Sequence, residues 1–280
     1  MPGPKDLDPS SSPRALLGAE LRHAREKAGL SQEDLGARLF VSGSFIGQLE
    51  SGTRRMQPEY ARMLDEVLGT GGFFQRNCGV SAKSSYPTHF AEAVEAESRA
   101  TSIKQYTPVL IPGLLQTPGY AQALFRAYEP TAPVEKIDAS VGDRIARGRL
   151  LDDPTTPTLW AVLDETALRR RVGSPRVMAE ALRHVAALVH RRRIIMQVLM
   201  FSAGEVGSLV SGIKLMYFSD AAPLAYVEGV GMGHLTDDPS TVARHELTFD
   251  LVRASALSPR ESLVLIESVA QDYGHGEPHP

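Results

Sequence analysis

The sequence predicts a mainly α amino-terminal domain followed by an α/β (α+β) domain with a mixed or antiparallel sheet. Three observations predict it. The chain has 280 residues, 42% of them apolar, which suits two packed cores rather than one. Between residues 14 and 68 the apolar residues recur at helical spacing only. Beyond residue 86, helical segments are interrupted by short alternating or continuous apolar runs that read as strands.

The expected boundaries are a disordered lead-in at 1–13, a first domain at 14–76, a linker at 77–85, a second domain at 86–273 and a loose tail at 274–280. The lead-in, MPGPKDLDPSSSP, is rich in Pro and Ser and lacks an apolar signal core. No apolar run approaches the roughly 20 residues needed to span a bilayer, so a cytoplasmic protein without a membrane partner is expected. The net charge is −3, and residues 1–76 balance ten basic against ten acidic side chains. A generally cationic chain is excluded, and positive charge for a polyanion must be local. A single cysteine, Cys78, excludes an intramolecular disulfide and a four-thiolate zinc site. It reads as a spare thiol rather than a redox switch, because no acidifying neighbour is visible.

In the first domain, Arg14 to Ala28 carries a stripe of Leu17, Leu21 and Ala24. Ser31, three residues before Asp34, is a capping-box start for a helix with Leu35 and Leu39 on one face. Ser42 can cap the next helix, which buries Ile46 and Leu49 and ends at Ser51-Gly52. Pro58 to Leu68 closes the unit with Tyr60, Met63, Leu64 and Val67. Phe73 and Phe74 are too apolar for a free linker and are expected to dock on this domain or to begin a dimer contact.

The coincidence of LSQ at 30–32, Leu35, Val41-Ser42, Ile46 and LExG at 49–52 carries a resemblance. Residues 16–68 resemble the helix-turn-helix of the phage-repressor-like (Cro/cI, or XRE) family. The resemblance implies binding to double-stranded DNA as a homodimer. It places Gly43, Ser44, Phe45 and Gln48 at the major groove, and Gln32 and the backbone at Ser42 on phosphates. Arg54, Arg55 and Arg38 sit where phosphates would run. It also implies a structural ion pair between Arg25 and Glu50. Two positions depart from the family's usual pattern: Phe40 stands where Gly is usual, and Gly36 where Ala is usual. Both departures bear on the angle between the two helices. Gly43 has no side chain, so base readout by one copy is thin, and a second half-site or DNA shape is expected to add specificity.

The second domain is expected to hold a helix at 86–99, a strand at 101–110 and a helix from Pro118 to Tyr128 behind Thr117. A helix from Pro133 to Leu151 and a strand at 159–163 follow, and then a helix from Pro175 to His190 behind Ser174. Runs at 194–201, 209–218 and 224–230 read as an antiparallel meander. Two last helices start at Asp238-Pro239 and at the Ser258–Glu261 capping box.

PVLIPGLLQTPGYA at 108–121, DETALRR at 164–170, IMQVL at 195–199, YVE at 226–228 and ALSPRES at 256–262 carry a second resemblance. Together with the first domain they resemble actinobacterial Scr1-type, sporulation-regulator-like proteins with a DUF5753-like carboxy-terminal domain. That implies a regulator of development or specialised metabolism. It also implies a small partner protein encoded next door, sometimes described with it as a toxin–antitoxin pair. The family usually has His after the loop glycine near 204, where this chain has Glu205 and Val206.

Catalytic sets do not rise above chance, so the chain is expected not to be an enzyme, with no catalytic residue, cofactor or metal. The eight His form no HExxH pair, and His184 and His190 are six apart. Asp164-Glu165 reads as a helix cap with an arginine partner from 169–171. The best candidate for a small-molecule pocket is Trp160, Gln197, Tyr226 and Glu228, with ordinary sheet core as the preferred alternative. The leading function is therefore a transcription regulator whose second domain receives a ligand or partner signal. The competitors are an antitoxin-like interaction module and an enzyme with a DNA-targeting head.

Overall fold

The computed structural model describes residues 9, 13–78, 88–153, 155, 157–204, 211–229 and 232–275. Most of the expected lead-in, linker residues 79–85, Glu205 and Val206, and tail residues 276–280 lie outside them. The chain divides into two compact units, Met1–Glu92 and Ala93–Pro280.

The first unit is helical: α1 (Pro13–Lys27), α2 (Gln32–Arg38), α3 (Gly43–Glu50), α4 (Pro58–Leu68) and α5 (Phe73–Asn77). The division falls within α6 (Thr88–Arg99). Local chemistry sets the boundaries. Ser31 and Asp34 complete the capping box of α2, and the Ser42 hydroxyl accepts from the Phe45 N–H to cap α3. Gly69 ends α4 in the left-handed region at φ 65°. The Asp65 carboxylate then accepts the N–H groups of Phe74 and Gln75 and starts α5. Leu21, Leu35, Ile46, Leu49, Leu64 and Phe74 form the centre of the core. Phe73 and Phe74 pack within this unit. Cys78 is buried in the same core, so the folded unit continues past residue 76 into the stretch expected as linker. A free cysteine buries like a small apolar residue, which explains why it does not mark a linker.

The second unit holds a six-stranded mixed sheet in the order β3-β2-β1-β4-β5-β6. Its strands are β1 (Ser102–Thr107), β2 (Thr158–Asp164), β3 (Ile194–Leu199), β4 (Ile213–Tyr217), β5 (Leu224–Gly229) and β6 (Met232–Thr236). β1, β2 and β3 are parallel; β4 runs antiparallel to β1, and β4, β5 and β6 form a meander. Parallel neighbours need crossover connections. α7 (Pro118–Tyr128) and α8 (Val134–Gly148) lie between β1 and β2. The short α9 (Glu165–Arg169) and α10 (Pro175–His190) lie between β2 and β3. α11 (Pro239–Ser255) and α12 (Pro259–His275) end the unit.

The expected meander is corrected here. Its first run is β3, which lies beside β2 and is separated from β4 by two strands. The cause is α10, which returns the chain parallel to β2, and Arg193, which ties the entry of β3 to the carbonyls of Leu151 and Pro157 at 2.7 and 2.8 Å. The meander is completed instead by β6, a Gly-containing strand that the sequence pattern does not announce.

Side chains alternate across this sheet. One face carries Tyr106, Val162, Leu199, Ile213, Leu215 and Ala225 and packs on Val242, Phe249 and Val252 of α11. The opposite face carries Gln105, Lys214 and Tyr226, directly paired across β1, β4 and β5.

Candidate functional site

The helix pair α2–α3 is held by one buried carboxylate. Glu50, 0% exposed, accepts from Arg25 Nη2 at 3.1 Å and from Gln32 Nε2 at 2.8 Å, with Arg22 Nε at 3.7 Å. Its second oxygen takes Arg25 Nε, so the arginine is held bidentately. Arg25 also donates to the Leu30 carbonyl, which fixes the turn that leads into α2. The carboxylate pushes the arginine's pKa further up, chiefly through the hydrogen bond. One residue at the end of α3 therefore ties α3 to α1 and to the start of α2.

The connection between α2 and α3 uses both departures from the usual pattern. Phe40 adopts the left-handed region at φ 58° with its ring 92% exposed. That conformation favours glycine, so the chain accepts strain at this point. Gly36 answers a different need: a Cβ there would lie 2.7 Å from the Val41 carbonyl oxygen. The Val41 N–H bonds the Gly36 carbonyl at 2.9 Å, so the connection folds tightly against α2.

The expected groove residues divide into two sets. Ser42 and Ser44 are exposed, and Gly43 and Gly47 are partly exposed, so α3 presents an outer face of small residues. Phe45 and Gln48 turn the other way and are only 5% and 7% exposed. Phe45 stacks on Tyr60 with ring centroids 4.7 Å apart, and the Gln48 carbonyl accepts the N–H groups of Thr53 and Arg54. Neither is placed to reach a base edge. The reason is helix periodicity: Phe45 and Gln48, three apart, flank the apolar Ile46–Leu49 stripe. Gln32 spends its amide on Glu50 instead of pointing outward. Arg54 stacks over the Phe45 ring at 4.3 Å, with Nη2 3.9 Å from Glu92, the last residue of the same unit. Arg55 is partly exposed and Arg38 exposed.

In the second unit the four pocket candidates do not come together. The alternation puts Trp160 and Gln197 on the face covered by α11 and Tyr226 and Glu228 on the opposite face, with β1 and β4 between β2 and β5. Trp160 Nε1 donates to Gln197 Oε1 at 2.9 Å, Gln197 Nε2 donates to the Leu257 carbonyl at 2.8 Å, and Arg253 stacks on the indole at 4.6 Å. That pair is sheet core tied to the end of α11. Asp164 caps α9 through the Thr166 N–H at 2.8 Å, and Glu165 bonds Arg169 at 3.1 Å, as the capping reading expects.

A family model described as a domain of unknown function (DUF5753) matches residues 90–268, more than half of the chain. The chain belongs to the DUF5753 family. A second model, described as a helix-turn-helix domain, matches residues 16–72, from within α1 to beyond the end of α4. A helix-turn-helix domain suggests a DNA-binding regulator. No curated protein and no solved structure matches the chain. Among the described residues no helix is long and apolar enough to cross a membrane.

The DUF5753 region also holds a charged cluster that sequence reasoning missed. Glu97 of α6 is 0% exposed and ion-pairs with Lys214 of β4 and, at 3.2 Å, with Arg147 of α8. Burial pushes the Lys214 amine down, and the Glu97 charge opposes this. The signal available in the sequence was a lysine inside an apolar strand, IKLMY, which a half-buried sheet face does not tolerate without a partner.

Proposed function

We propose that the chain is a sequence-specific transcriptional regulator of the XRE type, close to the Scr1-like sporulation regulators. It acts as a cytoplasmic dimer, and its DUF5753 region receives a small-ligand or partner signal without catalysing a reaction. The observation that carries this reading is the Glu50 clamp. It fixes α3 against α1 and α2 while leaving Ser42, Gly43, Ser44 and Gly47 on the outside. A helix whose outer face is this small lets its backbone come close to a duplex, and the Ser42 and Ser44 hydroxyls supply polar contacts. With Phe45 and Gln48 turned inward, base readout by one copy is slight, so a second half-site and DNA shape carry the specificity. Exposed Arg38 and partly exposed Arg55 supply the phosphate contacts.

A gel-shift of the full chain on the DNA upstream of its own gene tests the reading. The expected result is a discrete complex whose affinity falls steeply with salt and survives unlabelled non-specific competitor. Arg55→Ala reduces affinity and shallows the salt slope by about 1. A complex that competitor DNA removes entirely, or no complex at low salt, overturns it.

A further inference from the structure

The carboxy end of α2 closes in a way that ordinarily calls for glycine. The Val41 N–H reaches the Gly36 carbonyl at 2.9 Å, and the Phe40 N–H reaches the Ala37 carbonyl at 3.4 Å. That pair of bonds requires a left-handed residue at position 40. Val41, the next residue, packs against the core of the first unit and holds the closure in place. The neighbouring helices meet the same demand with glycine. Gly29 follows α1, Gly52 follows α3 and Gly69 follows α4, at φ 69°, 63° and 65°. Of these four helices α2 alone is followed by a phenylalanine, at φ 58°.

The fold gains little from that ring. It is 92% exposed, the most exposed large apolar side chain among the described residues. A ring left in water forgoes the burial through which aromatic residues stabilise a core, and the left-handed backbone adds strain. Strained residues that packing does not call for gather at binding sites. Position 40 says what is bound. It stands two residues before Ser42, the N-cap of α3, so the two Cα atoms lie within about 7 Å. A duplex seated on Ser42, Gly43 and Ser44 is then within reach of the ring. Those three residues offer hydroxyls and bare backbone but no apolar group. The major groove has one apolar feature, the thymine C5-methyl, and aromatic or aliphatic side chains read it.

We propose that the Phe40 ring packs on a thymine methyl at the margin of the site that α3 occupies. It supplies a base contact that the small outer face of α3 lacks. The strained backbone at position 40 is what keeps the ring outside the fold, where a duplex meets it. The proposal rests on the regulator reading, and it names a residue that reads sequence for it.

Fluorescence anisotropy of the full chain on the DNA upstream of its own gene, with each thymidine replaced in turn by deoxyuridine, tests it. At one thymine per half-site, loss of the methyl weakens the wild type about fourfold, the worth of one buried methylene converted to affinity. Phe40→Gly binds the unmodified duplex about tenfold more weakly, and the deoxyuridine effect at that thymine disappears. The salt slope of Phe40→Gly stays unchanged, because no phosphate contact is lost. Phe40→Asn, which tolerates the left-handed region without the freedom of glycine, behaves in the same way. The proposal is overturned if no thymine is sensitive, if the deoxyuridine effect persists in both variants, or if both bind undiminished. It is also overturned if sedimentation shows that the variants change oligomeric state, which would make the ring a protein contact. A discrete wild-type complex without a sensitive thymine removes this proposal alone. No complex with any duplex at low salt removes the regulator reading, and this proposal with it.

Discussion

Each unit is built around one fully buried carboxylate, and the two are used differently. Glu50 receives Arg25, Arg22 and Gln32, all from neighbouring helices. Glu97 receives Lys214 from the sheet and Arg147 from α8, and its cluster stands next to a cleft lined by Lys214 and Tyr226. The first is a clamp whose oxygens are filled from within the fold. The second joins the sheet to two helices, α6 and α8. A buried ion pair is weak evidence for stability, because desolvation offsets much of the attraction, but it holds geometry firmly. In the first unit the geometry held is the angle of α3; in the second it is the packing of α6 and α8 against β4.

Breaking each carboxylate in turn sharpens the contrast. Glu50→Gln is expected to have the largest effect, about 3–5 kcal/mol lost in urea unfolding, because it leaves a buried arginine that cannot give up its proton. That loss should not recover with pH. Glu97→Gln should cost a comparable amount, since it also leaves buried Arg147 charged, but the Lys214 share of that loss can be recovered because the lysine can neutralise itself. Burial already holds Lys214 below its ordinary 10.5 in the folded state. Between that lowered value and the unfolded value the unfolded chain binds more protons, so stability rises with pH. Without Glu97 the window opens at a lower pH, and melts of Glu97→Gln should climb as pH moves toward the ordinary lysine range of about 10.4. Equal pH profiles for the two variants would break the comparison.

The connection between α2 and α3 gives smaller effects of opposite sign. Gly36→Ala brings a Cβ to 2.7 Å from the Val41 carbonyl and should cost about 1–3 kcal/mol by overpacking. Phe40→Gly relieves a left-handed phenylalanine whose exposed ring packs on little, and thermal melts should show a gain of about 0.5–1 kcal/mol. A loss of stability in Phe40→Gly would mean that the ring contributes a contact.

What was legible in the sequence was what depends on near neighbours. The Ser31, Ser42, Ser174, Asp238 and Ser258 caps all sit where the residue pattern places them, because a cap is decided within four residues. The Arg25–Glu50 pair was legible only through the family resemblance. Strand pairing was not legible, since β3 joins β2 through a helical crossover that leaves no mark in the strand itself. The same gap scattered the pocket candidates: Trp160 and Tyr226 belong to opposite faces, and only the register reveals it. The burial of Gln48 has a simpler cause, its place beside the Ile46–Leu49 stripe. The family resemblance implies it at the groove, and here its side chain is buried and its backbone carbonyl accepts the Thr53 and Arg54 N–H groups.

Dimethyl sulfate protection of the upstream duplex by the full chain tests the central claim most directly, because it reads guanine N7 in the major groove, where the proposed function puts the outer face of α3. The account predicts two protected patches about one helical turn apart, both lost in Glu50→Gln as the clamp releases α3. Protection that persists in a folded Glu50→Gln protein, or a bound complex that leaves every N7 reactive, would contradict it.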